Sequence, residues 1–182
     1  MTKDVCELHK KRLPPALFSS LLSLTRNRPA RIKNVNWVGS SFDTARRYLM
    51  AVVVGVLLAI AIAALAKFTR FDEDRSFYAT VLVVIASYYV LFAVLDGSSH
   101  VLVWELVIAI AFSMVAIIGA LFLPTLVGTG IIAHGLFDLV HDVIIENSGV
   151  PTWWPSFCGS LDVLLGLWVI TSLRSRLTCS MR

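Results

Sequence analysis

Between residues 101 and 145 the chain runs for 45 residues in which only Glu105, Asp138 and Asp142 carry a formal charge. One continuous helix of that length would measure roughly 68 Å, about twice the hydrocarbon thickness of a bilayer. The segment must therefore fold back on itself. Pro124 is the natural break, because it has no N–H to donate and disfavours helix at the residue before it. The reading is two antiparallel spans, 101–123 and 125–145, joined by a very tight hairpin.

Three more apolar runs, 48–66, 77–95 and 156–173, contain no Lys or Arg and are each close to the roughly 20 residues a helix needs to cross the hydrocarbon. Charged or turn-forming segments separate them. Residues 67–75 alternate in charge and include Asp72, Glu73 and Asp74; residues 96–100 read Asp-Gly-Ser-Ser-His. Residues 147–155 hold two prolines, with Trp153 and Trp154 suited to the membrane interface. The expected fold class is thus all-α, a polytopic integral membrane bundle with five transmembrane helices. Composition agrees, since 57% of residues are hydrophobic, 15% are charged and mean hydropathy is +0.78.

The net charge of +4 is no nucleic-acid signal, because ten of the sixteen Lys and Arg residues precede position 48. Basic residues flanking spans are explained by orientation and by anionic headgroups. The chain divides into a basic tail (1–47), a five-helix domain (48–173) and a short basic C-terminal tail (174–182). Within the first tail Leu13, Leu17, Leu21 and Leu24 recur at helical spacing, as in an interfacial helix; a disordered tail and an organelle transit peptide are the competing readings. The expected partners are the bilayer itself and anionic lipid under the tail, with no nucleic acid. The basic excess favours a cytoplasmic N-terminus. Cys6, Cys158 and Cys179 are too widely spaced for a disulfide framework or a CxxC pair.

The chemistry concentrates on the fourth span. His134, Asp138 and His141 fall within roughly 60° of one another on a helix, while Leu136, Leu139 and Val143 take the opposite face. A polar stripe inside a membrane should face protein or enclosed water. Helical arithmetic places Tyr89 near the end of span two, Glu105 early in span three, His141 near the end of span four and Asp162 early in span five. All four lie roughly 7–11 Å below the same surface. Small residues share their faces: Ala79, Ala86 and Ala93 with Tyr89, Ala109, Ala116 and Gly119 with Glu105, Gly159 and Gly166 with Asp162. Such residues mark helix contact faces in membranes, so the polar groups are expected to point inward together.

A carboxylate at a helix centre costs about 2.5–3.5 kcal/mol on insertion scales. No Lys or Arg lies within the spans to offset it. Two imidazoles with two or three carboxylates form a ligand set for zinc, iron or manganese, and Asp138 and His141 have the i,i+3 spacing by which bundle proteins aim two ligands at one ion. Glu105, Asp138, His141 and Asp162 are the expected divalent-metal ligands, with His134 as a base or further ligand and Tyr89 beside them as catalytic candidates. The activity expected from this set is a metal-dependent membrane enzyme acting on a lipid-like substrate. A proton- or ion-coupled transporter and an accessory subunit with a purely structural polar network are the alternatives. No P-loop, dinucleotide fingerprint, HExxH or EF-hand appears.

Overall fold

The computed structural model describes the backbone of residues 37–180 and the side chains of residues 42–174, Arg75 excepted. The interfacial-helix reading of residues 13–24 lies outside the described residues. Apart from the first turn of the first helix, all that follows concerns the unit that begins at Ser41.

Five helices make up the bundle: α1 (Trp37–Thr69), α2 (Arg75–Asp96), α3 (Ser99–Leu121), α4 (Pro124–Ile144) and α5 (Trp154–Ser180). Each contains a segment long and apolar enough to cross a membrane, and no strand occurs among the described residues. The chain is a multi-pass integral membrane protein. Bulky apolar side chains such as Leu139, Val143, Leu121 and Trp104 point outward into what is the lipid phase.

The helix ends follow from local sequence. A 3₁₀ turn, Phe71–Glu73, joins α1 to α2, with Lys67 paired to the buried Asp72 at 3.4 Å. Asp74 then caps α2 by accepting from the Ser76 N–H at 2.8 Å. Gly97 ends α2 in the left-handed region (φ 78°), where a side chain would be strained, and Ser98 caps α3. Pro124 occupies the first turn of α4, the helical position that tolerates a missing N–H, so only Phe122 and Leu123 separate α3 from α4. The hairpin is as tight as the sequence requires.

Packing uses small residues throughout. Ala51, Gly55, Ala59, Ala63 and Ala66 form the buried stripe of α1, and Gly55 lies directly against the Phe157 carbonyl and Ser160 hydroxyl of α5. The α4–α5 contact is closer still and reciprocal. A Cβ on Gly128 would come within 3.1 Å of the Gly166 carbonyl, and one on Gly166 within 2.6 Å of the Gly128 carbonyl. Seven residues along, Gly135 and Gly159 repeat the arrangement at 3.0 and 2.9 Å. Backbones therefore meet with nothing between them, the way helices associate where lipid offers no hydrophobic driving force. Towards the Pro124 end, Leu82, Ala116, Val127, Ile131, Leu165 and Val169 fill the core.

Candidate metal and polar site

At the other end the core is polar. His134, Asp138 and His141 are the buried stripe of α4; Glu105 from α3, Asp162 from α5 and Tyr89 from α2 converge on it, and all six are at most 2% exposed. Asp142, next to His141, turns outward with its side chain 67% exposed. The alternation of buried and exposed positions on α4 matches the helical period.

The six groups form two layers. Deeper in the bundle, His134 Nδ1 lies 2.8 Å from Asp162 Oδ2 and 3.6 Å from Asp138 Oδ2, so one ring nitrogen sits between two carboxylates. One ligand atom each from His134, Asp138 and Asp162 lies within 4.8 Å of the others. Nearer the surface, His141 Nε2 lies 2.8 Å from Glu105 Oε1, and His141 Nδ1 lies 3.4 Å from Asp142 Oδ1. Tyr89 connects the layers. Its ring stacks on His141 with centroids 4.0 Å apart and 23° between planes, and lies 6.2 Å from His134. Phe112 and Phe137 close the sides, with Phe112 edge-on to His134 at 4.9 Å and Phe137 edge-on to His141 at 5.4 Å.

A model of the family of unknown function DUF6010 matches residues 50–175, a segment that holds all five spans' apolar cores and every residue just described. The chain belongs to DUF6010. No curated protein and no solved structure matches it.

The chemistry of this DUF6010 member's site must accordingly be read from its own atoms. Of the expected metal ligands, Asp138 and Asp162 stand together with His134, whereas Glu105 and His141 stand together one layer away. Both oxygens of Asp138, Oδ1 of Asp162, Oε2 of Glu105 and the Tyr89 hydroxyl are buried without a hydrogen bond of standard geometry, the Tyr89 hydroxyl and the Cys158 thiol lying beside Asp138. Such orphaned acceptors are costly in an apolar interior. The donor set suits a divalent ion. Three ligands about 2.0–2.1 Å from a tetrahedral ion have their donor atoms roughly 3.3 Å apart. The 2.8 and 3.6 Å separations around His134 Nδ1 straddle that value, and all three ligand atoms lie within 4.8 Å of one another.

One member of the site carries no mark in the sequence. Asn147, just beyond α4, is buried, donates to Glu105 Oε1 at 2.9 Å and to the Tyr89 carbonyl at 3.4 Å, and accepts from the Gly149 N–H at 3.2 Å. It pins the α4–α5 loop onto α2 and α3 directly above the site, and Gly149 rests on the Phe92 carbonyl. No local signal distinguishes it, because an Asn ahead of Ser-Gly is ordinary turn composition. Cys158, one turn before Asp162 on α5, is buried as a free thiol.

Proposed function

We propose that this chain is a metal-dependent membrane enzyme acting on a lipid-like substrate, with His134, Asp138 and Asp162 holding a divalent ion such as zinc, iron or manganese. The observation that carries the reading is the cluster of buried carboxylates around His134, with oxygens left short of hydrogen bonds, inside apolar runs that contain no Lys or Arg. Asp138, Asp162 and Glu105 together represent a desolvation cost of several kcal/mol. Side-chain hydrogen bonds between membrane helices return about 1 kcal/mol each, which leaves most of that cost to be met by protonation of the carboxyls, an imidazolium, enclosed water or a bound metal ion. The convergence of three ligand groups on one point favours the ion.

A bound ion supplies Lewis acidity towards a carbonyl or phosphoryl oxygen and acidifies a water molecule. The protein groups have separate tasks. His134 Nδ1, Asp138 and Asp162 would hold the ion. Glu105 orients His141 at 2.8 Å, and the pair is positioned to accept and return a proton one layer above the ligands. Tyr89, stacked on His141, has its hydroxyl beside Asp138, where it can steady that carboxyl. Phe112 and Phe137 keep the surroundings dry, which strengthens each electrostatic contact. A proton relay across the membrane is the weaker reading, because the core between His134 and Pro124 is built from Leu82, Ile131, Leu165, Val127 and Val169.

The test is metal analysis of the purified full chain beside Asp138→Ala/Asp162→Ala. The proposal expects about one equivalent of a single transition metal in the parent and a loss in the variant; equal and negligible metal in both would remove it.

A further inference from the structure

The outer face of the bundle carries a groove along α1, α2 and α5. Its upper part, about 710 Å³, is lined by Arg46, Arg47, Met50 and Val54 of α1 together with Tyr88 and Trp153. The lower part, about 570 Å³, continues between Leu58 and Ile62 on α1, Val81 and Val84 on α2, and Cys158 and Leu161 on α5. Tyr88, Trp154 and Phe157 line both parts, so the two adjoin along the same outer face. Along α2 the lower part reaches from residue 88 to residue 76, roughly 18 Å of helix.

The ends of this groove differ in chemistry. Arg46 and Arg47 are exposed at the top, and no carboxylate among the described residues pairs with either. They stand level with Trp153, a residue type that settles at the headgroup boundary. Everything between them and Phe77 is predominantly aliphatic or aromatic. Two guanidinium groups over a hydrocarbon-lined slot complement an anionic head on an acyl chain. Guanidinium matches phosphate in shape and in charge-assisted hydrogen bonding.

Depth connects the groove to the buried site. The Ser160 hydroxyl donates to the Val52 carbonyl at 3.3 Å, so Ser160 lies five residues, roughly 8 Å, below Arg47. Cys158 lies above Ser160, lines the groove, and is one helical turn from Asp162 on the same face of α5. A lipid whose head engages the arginines thus carries the linkage between head and chain past Cys158, one turn from Asp162.

We infer that this groove binds a phospholipid of the surrounding bilayer, its phosphate at Arg46 and Arg47 and one acyl chain in the slot below, and that this lipid is the substrate class. The substrate half of the inference rests on the metal-site reading above.

The experiment is native mass spectrometry of the full chain released from phosphatidylcholine nanodiscs containing a minority of phosphatidic acid. The parent retains phosphatidic acid in preference to phosphatidylcholine. Arg46→Gln/Arg47→Gln lowers that preference by about thirtyfold, given the attraction of each basic residue for anionic lipid, whereas Arg46→Lys/Arg47→Lys keeps most of it. Val84→Trp, on a lipid-facing position that cannot disturb the core, evicts both lipids by filling the slot. A parent without preference, or an Arg46→Gln/Arg47→Gln variant that matches it, means annular lipid only and overturns the inference. Asp138→Ala/Asp162→Ala keeps the lipid preference while losing metal. Lipid preference in a parent that holds no metal would leave the binding groove standing and remove the enzyme reading alone.

Discussion

His134 Nδ1 and Asp162 Oδ2 are 2.8 Å apart across the α4–α5 interface, although the residues are separated by 28 positions in the chain. The closeness is a property of the main chain as much as of the side chains. Gly135, adjacent to His134, lies against the Asp162 Cβ and the Gly159 carbonyl, where a methyl group would be 2.8 and 3.0 Å away. The imidazole and carboxylate meet because no side chain intervenes between the two backbones.

Replacing Gly135 by Ala should therefore injure the site and the fold together. Overpacking of this kind costs about 1–3 kcal/mol, and the displaced α5 takes Asp162 away from His134. Gly97→Ala is the contrast, because its strain (φ 78°) lies in the α2–α3 turn with nothing near the added methyl. Both variants should melt earlier in detergent, but only Gly135→Ala should also lose bound metal. Equal metal in the two would uncouple the glycine contact from the site.

Asp162→Asn and Asp138→Asn keep side-chain shape while removing a ligand charge. Loss of residues that merely support ligands lowers metal affinity roughly 10–100-fold, so loss of a ligand should lower it at least that far. Titration of apo protein with zinc, read by calorimetry, is the measurement. Unchanged affinity in Asp162→Asn would take that carboxylate out of the proposed ligand set.

Glu105 and His141 should behave as one unit. Each is fully buried with its partner 2.8 Å away. Truncating one leaves the other with only its second partner, Asn147 for Glu105 and Asp142 for His141, at a cost of about 1–3 kcal/mol. Glu105→Ala and His141→Ala should each destabilise strongly, while the double variant costs much less than their sum. Unfolding in mixed micelles provides all four corners of the cycle. Additive effects would mean that the pair contributes no coupling.

Asn147→Ala removes the amide that bridges Glu105 and Tyr89. The buried acceptor left behind makes the expected loss about 1–3 kcal/mol. Since Asn147 touches neither Asp138 nor Asp162, zinc affinity should stay at the parent value. Asn147→Asp should be worse than Asn147→Ala, because it sets a second carboxylate beside Glu105. Thermal melts with parallel zinc titrations separate these expectations; a drop in zinc affinity would show that the loop acts on the ligands.

The spans were legible because membrane insertion leaves a coarse mark: long runs free of Lys and Arg, with Pro124 where the 45-residue run had to turn. Helix ends were less so. α1 begins at Trp37 and continues through Arg46 and Arg47, since charge at the headgroup level does not interrupt backbone hydrogen bonding and long basic side chains reach outward. The inward stripe on α4 was readable from its period, and the small-residue faces of α2, α3 and α5 identified their inner sides. The division of six polar groups into a trio and a pair was not readable. Rise per residue gives depth, but the partner of each side chain depends on helix rotation and rotamer, which give Asp162 to His134 and Glu105 to His141 although helical arithmetic puts both carboxylates at one depth. Asn147 was invisible for a related reason: its contact with Glu105 spans 42 residues and leaves no pattern within either segment.

The paired glycines of α4 and α5 also act as a two-pin key. Gly128 meets Gly166 and Gly135 meets Gly159, and the pins on each helix are seven residues apart. If the helices slipped by seven residues, only one pin could still find a glycine opposite, and in one direction of slip His134 would face Val169 instead of Asp162. Only one register seats both pairs at once, so the register in which the backbones touch along their length is also the register that assembles the site.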